Sequence, residues 1–406
     1  MCDVLIIGGG ASGIVSSIFA KNDKNKVIVL ERNNDVLKKL LMTGNGRCNY
    51  LNESYSMNNY HSENIDIVDK IISSDNISKV KDFFDSLGII PKIKNGYFYP
   101  STNQASTIKE VLYDKAKSIG VDIRCNSLVT NIDKVNDKFI VTVNNEKIET
   151  TNLIISTGSF AYPNTGSDGM GYDFLKKFNH TIIKPLPALV PLISNFKYLK
   201  EWDGVRSDVS LELFEDGKFI SKEDGEVQLT NYGISGICTF NLSHFVTRGL
   251  DIGKKEVIKI NFVPFIETLI TPWMDNYSKL NSSKNLDKLL SGFLNKKLVS
   301  IILKVSDLDK NLYYKDLSNE EKLTLCKNLK GLEVEIISTK SYENAQVVNG
   351  GVSLLEINPN TMESLKVNNL YIIGELLDIN GNCGGYNLTT CWISGMMAGC
   401  DISDKN

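Results

Sequence analysis

Several features are scarce in this chain of 406 residues, and each scarcity argues against a class of function. Only three histidines occur (His61, His180 and His244), and none has an acidic residue at a spacing that suggests a catalytic pair. The eight cysteines lie far apart without a C-x-x-C pair, which argues against a dithiol centre or a metal site. We therefore expect free thiols in a reducing compartment, no metal and no catalytic histidine.

The chain also lacks a basic excess, long apolar runs and targeting features. Its formal net charge is −3, so nucleic acid is not the expected partner. No stretch approaches the roughly 18 uninterrupted apolar residues of a membrane span. The first residues show neither a basic segment nor a cleavage site. These absences predict a soluble cytoplasmic protein without a membrane partner, and its length predicts more than one domain.

A strand, a glycine-rich turn and a helix open the sequence. The apolar run Val4–Ile7 precedes G-G-G-A-S-G, and a helical pattern follows from Ile14 to Lys21. The first glycine permits a tight turn, the third lets a pyrophosphate approach the backbone, and the last allows close helix packing. The helix N-terminus offers N–H groups to the anion. The predicted cofactor residues of this motif are Gly8, Gly10, Ala11, Ser12 and Gly13.

The second strand, Val27–Leu30, ends at Glu31, which lies 18 positions after Gly13. This is close to the spacing of roughly 20 residues expected for the acid that binds a ribose hydroxyl. Strand, turn, helix, strand and acid together predict an adenine dinucleotide. They do not choose between FAD and NAD.

The far end of the chain favours FAD. The apolar run Leu370–Ile373 leads into Gly374 and Glu375, and Gly384-Gly385-Tyr386-Asn387 precede a helix predicted from about Leu388 to Cys400. A carboxylate at a strand's carboxyl end can reach the flavin ribitol. The glycine N–H groups can stabilise negative charge at the pyrimidine edge of a reduced flavin. Taken alone, the segment could instead be only a capped loop and a turn. A third apolar run ends in Thr157 and Gly158, where the backbone again suggests passage of a cofactor.

The loop Lys39–Asn49 reads K-L-L-M-T-G-N-G-R-C-N. It resembles the signature of the BaiN/RdsA-type family of NAD(P)/FAD-dependent oxidoreductases, and the likeness continues through Tyr162–Gly171, Pro187–Leu192, Gly350–Ser364 and Gly374–Asn387. The resemblance implies an α/β fold with a discontinuous, Rossmann-like FAD-binding domain at 1–187 and 345–406. The insert, 188–344, is expected to hold a β-barrel at about 188–265 and a helical part at about 275–335.

The patterns inside the insert agree with that expectation. Val209–Phe214 and Phe219–Ile220 predict a hairpin, and Val257–Phe262 predicts another strand. From about Leu280 to Leu329 the apolar spacing becomes helical.

Beyond the first motif, the cofactor-binding set is completed from the turns and the resemblance. It comprises Glu31, Arg32, Lys39, Thr43, Gly44, Gly46, Arg47, Cys48, Asn49, Val129, Thr157, Gly158, Gly374, Glu375, Gly384, Gly385, Tyr386 and Asn387. Arg47 could hold phosphate oxygens in bidentate fashion or merely tether its loop. Cys48 could be a redox thiol or a small buried hydrophobe. Tyr162 and Tyr386 could donate a proton or only pack.

Two segments depart from the family pattern. Leu229-Thr230-Asn231 stands where the family has Phe-Thr-His, so a proton donor familiar from relatives is absent. Thr389 and Thr390 stand where the family tends to carry Gln and an aromatic residue.

The leading functional hypothesis is an NADH- or NADPH-driven FAD reductase acting on a small organic molecule, with an enone or steroid-like substrate as an implication of kinship. No second G-x-G-x-x-G opens a separate βαβ unit, so the nicotinamide is expected to dock transiently. One alternative is an oxidase of small amines or hydroxy acids. Another is a redox flavoprotein with a macromolecular partner. The sequence leaves the oligomeric state open.

Overall fold

The computed structural model describes residues 1–266 and 269–405, which divide into two compact units. The first unit combines Met1–Leu186 with Ala345–Asn406, and the second is Pro187–Asn344. The two ends of the chain therefore fold together. Among the helices of the described ranges, none joins the length and the apolar character needed to cross a membrane.

The strands within these ranges are numbered in chain order. They are β1 (Cys2–Ile7), β2 (Val27–Leu30), β3 (Leu51–Asn52), β4 (Tyr60–His61), β5 (Pro91–Lys94), β6 (Tyr97–Pro100), β7 (Asp122–Arg124), β8 (Val129–Val135), β9 (Lys138–Val143), β10 (Glu146–Ile155), β11 (Ile182–Ala188), β12 (Leu192–Ser194), β13 (Arg206–Glu215), β14 (Lys218–Thr230), β15 (Gly233–Ser235), β16 (Glu256–Asn261), β17 (Leu332–Thr339), β18 (Val347–Val352), β19 (Leu370–Ile372) and β20 (Asn380–Gly381).

The α-helices are numbered in the same way. They are α1 (Ala11–Ala20), α2 (Ile65–Ile71), α3 (Ser74–Ser86), α4 (Ala105–Ser118), α5 (Met170–Lys177), α6 (Leu199–Trp202), α7 (Ile237–Asp251), α8 (Ile270–Leu280), α9 (Leu286–Leu290), α10 (Lys296–Val305), α11 (Asn319–Lys330) and α12 (Tyr386–Lys405). Short 3₁₀ turns include Leu40–Gly46, Pro163–Thr165 and Gly374–Leu376.

The first unit is built on a seven-stranded sheet in the order β7-β2-β1-β10-β9-β8, with β19 also beside β10. Strand β1 pairs in parallel with β2 and β10, and β10 pairs in parallel with β19. On the side away from β1, strand β10 has two neighbours, because its first half pairs with β9 and its last residues pair with β19. All four residues of β2 are buried, as expected of a parallel strand covered on both faces. This is the predicted α/β Rossmann-like arrangement.

Two helices begin earlier than the sequence pattern indicated. Helix α1 starts at Ala11 rather than Ile14, because Gly10 is its N-cap and the glycine-rich residues form its first turn. Helix α12 starts at Tyr386, directly after Gly385, rather than at Leu388. Small residues in a first turn carry no apolar periodicity, so the pattern could not show these starts.

The second unit contains a closed barrel in the order β12-β15-β14-β13-β16-β17. The predicted hairpin is β13 and β14, which turn at Asp216 and Gly217, both with positive φ. The barrel closes with β17, which pairs with β16 and with β12 and follows α8 to α11 in sequence. The predicted barrel range, about 188–265, does not include this strand, which follows the helices at Leu332–Thr339. Leu332, Val334 and Ile336 alternate inward along it, a period-2 pattern too short to stand out after helices.

One acidic side chain is buried in the barrel unit. Glu256 begins β16, is 1% exposed, and is the cross-strand partner of Glu215 in β13. Helix α7 passes so close that a Cβ at Gly249 would lie 1.7 Å from Glu256 Oε1. Neither carboxylate oxygen has a hydrogen-bond partner within the described part of the chain. Burial, reinforced by Glu215 and Asp216, raises the pKa of Glu256 to about 7.

Candidate functional site

The predicted cofactor residues converge at one edge of the parallel sheet. Strands β1, β2, β10 and β19 run in the same direction, so their carboxyl ends meet. Gly8, Glu31, Ser156 and Ile373 directly follow those four strands. Strand β1 lies between β2 and β10. The chain passes from β1 to β2 on one side and only later forms β10 on the other side, so the strand order reverses at β1. In open α/β sheets ligands bind in the crevice at such a switch point.

In the glycine-rich turn, Gly8 and Gly13 are packed against neighbouring backbone, whereas Gly10 borders open space. A Cβ at Gly8 would lie 2.4 Å from the carbonyl oxygen of Ser156, and one at Gly13 would lie 2.0 Å from the carbonyl oxygen of Gly8. These two glycines are required by the protein itself. A Cβ at Gly10 would meet nothing within 4 Å, and no side chain caps the helix that starts there. The N-terminus of α1 therefore faces free space, as an anion site requires.

The C-terminal helix locks the two ends of the chain together. A Cβ at Gly395 would lie 2.6 Å from the carbonyl oxygen of Ser12, and one at Gly399 would lie 2.7 Å from that of Ser16. Helices α1 and α12 thus approach backbone to backbone. Gly374 completes the contact, since its N–H donates to Ser394 Oγ at 3.0 Å and its Cα faces Ser12. The residue strings at both ends of the sequence therefore border one site.

Glu31 is held in a fixed orientation at one end of this edge. Its Oε2 accepts from the Gly9 N–H at 2.9 Å, and its Oε1 accepts from both the backbone N–H and the amide Nδ2 of Asn33 at 2.8 Å. The Ser127 N–H donates to the Glu31 carbonyl at 2.8 Å, so the chain passes Glu31 two residues before Val129 begins β8. Glu31 and Val129 therefore lie at the same end, where the dinucleotide motif expects the adenosine.

Arg32 has an acidic partner that is distant in sequence. Its guanidinium forms an ion pair with Asp168 rather than facing the crevice free of protein partners. The sequence did not indicate a role for Asp168 or Asn33. Asp168 pairs with Arg32 and Asn33 contacts Thr165, and both contacts join residues more than 130 positions apart.

Glu375 occupies the other end of the edge and is paired with Lys39. The Lys39 Nζ lies 2.6 Å from Glu375 Oε2, and both side chains are about one-fifth exposed. The Glu375 backbone is fixed by the Tyr172 hydroxyl, which donates to its carbonyl at 3.3 Å. Gly158 is close to the same carboxylate, since a Cβ there would lie 3.9 Å from Oε2. Thr157, by contrast, turns inward toward Gly171 and not into the crevice.

The loop Leu40–Gly46 is held by its own backbone. Thr43 Oγ1 donates to the Leu40 carbonyl at 2.7 Å, and the Cys48 N–H donates to the Thr43 carbonyl at 3.0 Å. Gly44 and Gly46 have positive φ, which permits the tight path. These contacts within the loop define its path.

The two residues after this loop, Arg47 and Cys48, lie in opposite surroundings, since Arg47 is exposed and Cys48 is buried. Arg47 is exposed, donates from Nε to the Gly44 carbonyl at 3.3 Å and lies 6.0 Å from the Tyr99 ring centroid. Cys48 is fully buried, and burial raises the pKa of its thiol to about 12. A thiol with such a pKa stays protonated at neutral pH, which argues against Cys48 as a nucleophile.

The loop before α12 is clamped by amides. Asn387 Oδ1 accepts from the Gly381 N–H and its Nδ2 donates to the Gly381 carbonyl, both at 2.8 Å. Asn49, in the orientation that satisfies both ends of its amide, accepts from the Gly385 N–H at 3.3 Å. Gly384 has φ +141, and a Cβ on it would lie 2.9 Å from the Tyr97 ring. Asn49 therefore fixes Gly385, and Tyr97 leaves no room for a side chain at Gly384.

The two tyrosine candidates lie in different surroundings. Tyr386 is 7% exposed, its ring lies edge-on to Tyr60 at 5.5 Å, and burial raises the pKa of its hydroxyl. Tyr162 adopts φ +56 and lies 6.0 Å from Lys39 Nζ, beside the Lys39–Glu375 pair. Tyr162 is therefore on the crevice side, whereas Tyr386 anchors the start of α12.

The departures from the family pattern have local explanations. Thr389 Oγ1 and Thr390 Oγ1 donate to the carbonyls of Gly385 and Tyr386, so both hydroxyls are used inside the helix. In the second unit Thr230 Oγ1 donates to the Gly233 carbonyl at 3.0 Å. Asn231 is exposed, and its backbone N–H donates to Asp203.

Two of the histidines, His180 and His61, have polar partners that are distant in sequence. The two ring nitrogens of His180 lie 3.0 Å from Glu356 Oε2 and 2.8 Å from Ser364 Oγ. Burial lowers the pKa of His180 and of His61, whose Nε2 lies 2.8 Å from Asn382 Oδ1. The Glu356 partner is 176 positions away, so no spacing in the sequence could reveal it.

The residues present fit FAD. The uncapped N-terminus of α1 and the open space at Gly10 suit a pyrophosphate, and acids stand at both ends of the edge, Glu31 and Glu375. NAD would leave the second acid and the clamped glycine pair without a role.

Comparison with known proteins agrees with this geometry. The model of the HI0933-like protein Rossmann domain family matches residues 2–401. The chain belongs to the HI0933-like family. It is 33% identical over 397 residues, 97% of both chains, to a 3-dehydro-bile acid delta(4,6)-reductase of Clostridium scindens. It is 26% identical over 405 residues, 98% of both chains, to a ribosomal RNA dihydrouridine synthase of Escherichia coli.

Among solved structures, a 3-ketosteroid-delta4-(5alpha)-dehydrogenase of Rhodococcus jostii shares the fold of this HI0933-like chain with a TM-score of 0.52. The identity is 13%, and the match covers 99% of this chain and 96% of that one. The predicted family and the predicted fold class are confirmed. Family membership makes the protein an FAD-dependent oxidoreductase.

Proposed function

We propose that the protein uses NADH or NADPH, through FAD, to reduce a carbon–carbon double bond conjugated to a carbonyl in a small, steroid-like molecule. The observation that carries this proposal is the match to the Clostridium scindens reductase across 97% of both chains. That relative's name specifies reduction at the delta(4,6) positions of a 3-dehydro-bile acid. In such a compound the double bonds are conjugated to the 3-oxo group and accept hydride.

The chain's own residues bind and orient the cofactor in this proposal. FAD supplies the hydride chemistry when bound. The N-terminus of α1 at Gly10 holds the pyrophosphate, and Glu31 accepts hydrogen bonds from the adenosine ribose. Glu375, kept in place by Lys39, accepts from the ribitol. Gly384 and the N-terminus of α12 stabilise negative charge at the pyrimidine edge.

A proton must also reach the substrate carbon next to the carbonyl. Cys48 is not its source, because burial prevents its ready ionisation. Tyr162 is the better candidate, since its αL backbone places it on the crevice side beside the Lys39–Glu375 pair. Tyr386 is the weaker candidate, because its ring packs against Tyr60 and burial raises the pKa of its hydroxyl.

A second candidate is reduction of uridine in ribosomal RNA, which the Escherichia coli relative favours by its name. Both reactions add two hydrogens across a double bond conjugated to a carbonyl, so one flavin site could serve either. The net charge of −3 favours the small molecule, because RNA binding depends on phosphate contacts with basic residues.

The test supplies each acceptor in turn under anaerobic conditions. Purified protein is incubated with NADH or NADPH and a 3-oxo-4,6-diene bile acid, with a saturated 3-oxo bile acid as the matched control. We expect consumption of the nicotinamide only with the diene, and a product heavier by two or four hydrogen atoms. Unmodified ribosomal RNA is the parallel acceptor. Dihydrouridine formation without diene reduction would replace the first candidate by the second. Peroxide release in air with a small amine or hydroxy acid as the electron donor and no nicotinamide would instead indicate an oxidase.

A further inference from the structure

Residues 159–169 form a closed loop beside the adenosine end of the site, here named the strap. Its ends meet where the Phe160 ring covers Gly169, since a Cβ there would lie 2.1 Å from the ring. Inside the strap, the Thr165 N–H donates to the Tyr162 carbonyl and the Gly166 N–H donates to the Pro163 carbonyl, both at 2.9 Å. The strap is therefore a compact element with its own hydrogen bonds.

Two consecutive residues after β2 hold the strap. Asn33 Nδ2 donates to the Thr165 carbonyl at 2.9 Å, and Arg32 forms an ion pair with Asp168. The fit is close, because a Cβ at Gly166 would lie 2.4 Å from Asn33 Nδ2. Gly166 has φ +100, a conformation that favours glycine. The strap is thus joined to the same β2 terminus that presents Glu31.

Asn33 connects the strap to the Glu31 carboxylate. Its backbone N–H and its Nδ2 both donate to Glu31 Oε1 at 2.8 Å, while the Nδ2 also reaches the Thr165 carbonyl. Glu31 Oε2 is fixed separately by the Gly9 N–H at 2.9 Å. One amide group therefore orients the carboxylate and ties down the strap at once. Hydrogen bonds to a carboxylate are stronger than those between neutral groups, so the contact of the Asn33 amide with Glu31 is the stronger of its two contacts.

We propose that Asn33 is a positioning residue for the adenosine half of FAD, orienting Glu31 toward the ribose while Asn33 and the Arg32–Asp168 pair hold the strap closed against release. This inference rests on the proposed cofactor site. The strap contacts Asn33 and Arg32 at the adenosine end of the crevice, so opening it would loosen that half, and dissociation of FAD would be the step most affected.

The test compares FAD with FMN, which carries the isoalloxazine, the ribitol and one phosphate but no adenosine. Apoprotein of the wild type and of Asn33→Ala is titrated with each flavin, and flavin fluorescence gives the dissociation constants. We expect FAD binding to weaken about tenfold to a hundredfold, because the variant loses the Nδ2 hydrogen bond to the charged Glu31 and the one to the Thr165 carbonyl. FMN binding and the melting temperature of the apoprotein should change little. Equal weakening for both flavins, or none for FAD, would overturn the inference.

A second arm tests the strap by rates. In Arg32→Ala the FAD dissociation rate should rise about tenfold at low ionic strength, with a smaller difference at high salt because screening already weakens the pair. The matched control is Arg124→Ala, which breaks an ion pair with Asp122 of similar exposure in the same unit. Equal rates in the two variants would refute the role of the strap. If wild-type apoprotein binds no FAD at all, the proposed function fails instead.

Discussion

Gly10 and Gly13 belong to one glycine-rich turn, yet alanine should affect them in opposite ways. At Gly10 the backbone is extended, with φ −78 and ψ −170, and an added methyl meets nothing within 4 Å. Gly10→Ala should therefore raise the free energy of unfolding of the apoprotein by about 0.5 kcal/mol, because the unfolded chain loses freedom. At Gly13 the methyl would lie 2.0 Å from the Gly8 carbonyl oxygen and 2.6 Å from Ser156 Oγ. Gly13→Ala should cost about 1–3 kcal/mol or more through overpacking.

Cofactor binding should separate the two variants further. In Gly10→Ala the methyl occupies the space through which a pyrophosphate reaches the N-terminus of α1. Loss of two charge-assisted hydrogen bonds, at about 1.5 kcal/mol or more each, weakens FAD binding by about 3 kcal/mol, or roughly a hundredfold.

The assay pairs urea unfolding of each apoprotein with titration by FAD. The structure predicts a stable Gly10→Ala that binds FAD poorly, and a destabilised Gly13→Ala. If Gly10→Ala bound FAD as tightly as the wild type, the pyrophosphate would not lie at this turn, and the crevice beside Gly10 would not be the cofactor site.

Three further predictions concern single side chains. The pKa of Glu256 in the folded protein, about 7, lies above its ordinary value of 4.5. Between these two pH values the folded state keeps the proton of Glu256 while the unfolded state loses it. The free energy of unfolding should therefore fall by about 3 kcal/mol as the pH rises from 4.5 to 7. Glu256→Gln should abolish that fall in urea unfolding measured at pH 5 and pH 8; an unchanged pH dependence would contradict the assignment. Iodoacetamide at neutral pH should label exposed Cys400 but not Cys48 in the folded protein, as read by peptide mass spectrometry, and Cys48→Ala should keep flavin binding. Lys39→Ala should weaken FAD binding about tenfold by releasing Glu375, with Lys39→Arg retaining most of it; equal affinities would exclude the pair from the site.

Local patterns explain how much of the fold the sequence could predict. Gly8 and Gly13 mark a turn whose steric demands come from residues next to them in the motif and from one neighbouring strand. The apolar strands β1, β2, β10 and β19 read clearly because both faces of a parallel sheet are buried. Glu31 follows β2 and Glu375 follows β19 closely. Because the carboxyl ends of parallel strands lie at the same edge of a sheet, both acids could be predicted to lie at that edge.

Contacts between distant segments could not be predicted in the same way. The tie from Asn33 to Thr165 spans 132 positions, and the pairing of Asn49 with Gly385 joins opposite ends of the chain. Nothing in the local sequence distinguishes Asn33 or Asn49 from an ordinary asparagine on the protein surface. For Cys48 the sequence left a redox thiol and a small buried hydrophobe open, and its burial in the fold favours the second.

The proposed reductase activity is tested most directly by anaerobic mixing of the FAD-loaded protein with NADH and, separately, with NADPH, while the flavin absorption is followed with time. A reductase of this kind should show rapid bleaching by at least one nicotinamide, and return of the absorption when a conjugated enone is added. A flavin that stays oxidised with both donors would contradict the proposed reductase, whatever the affinity for FAD.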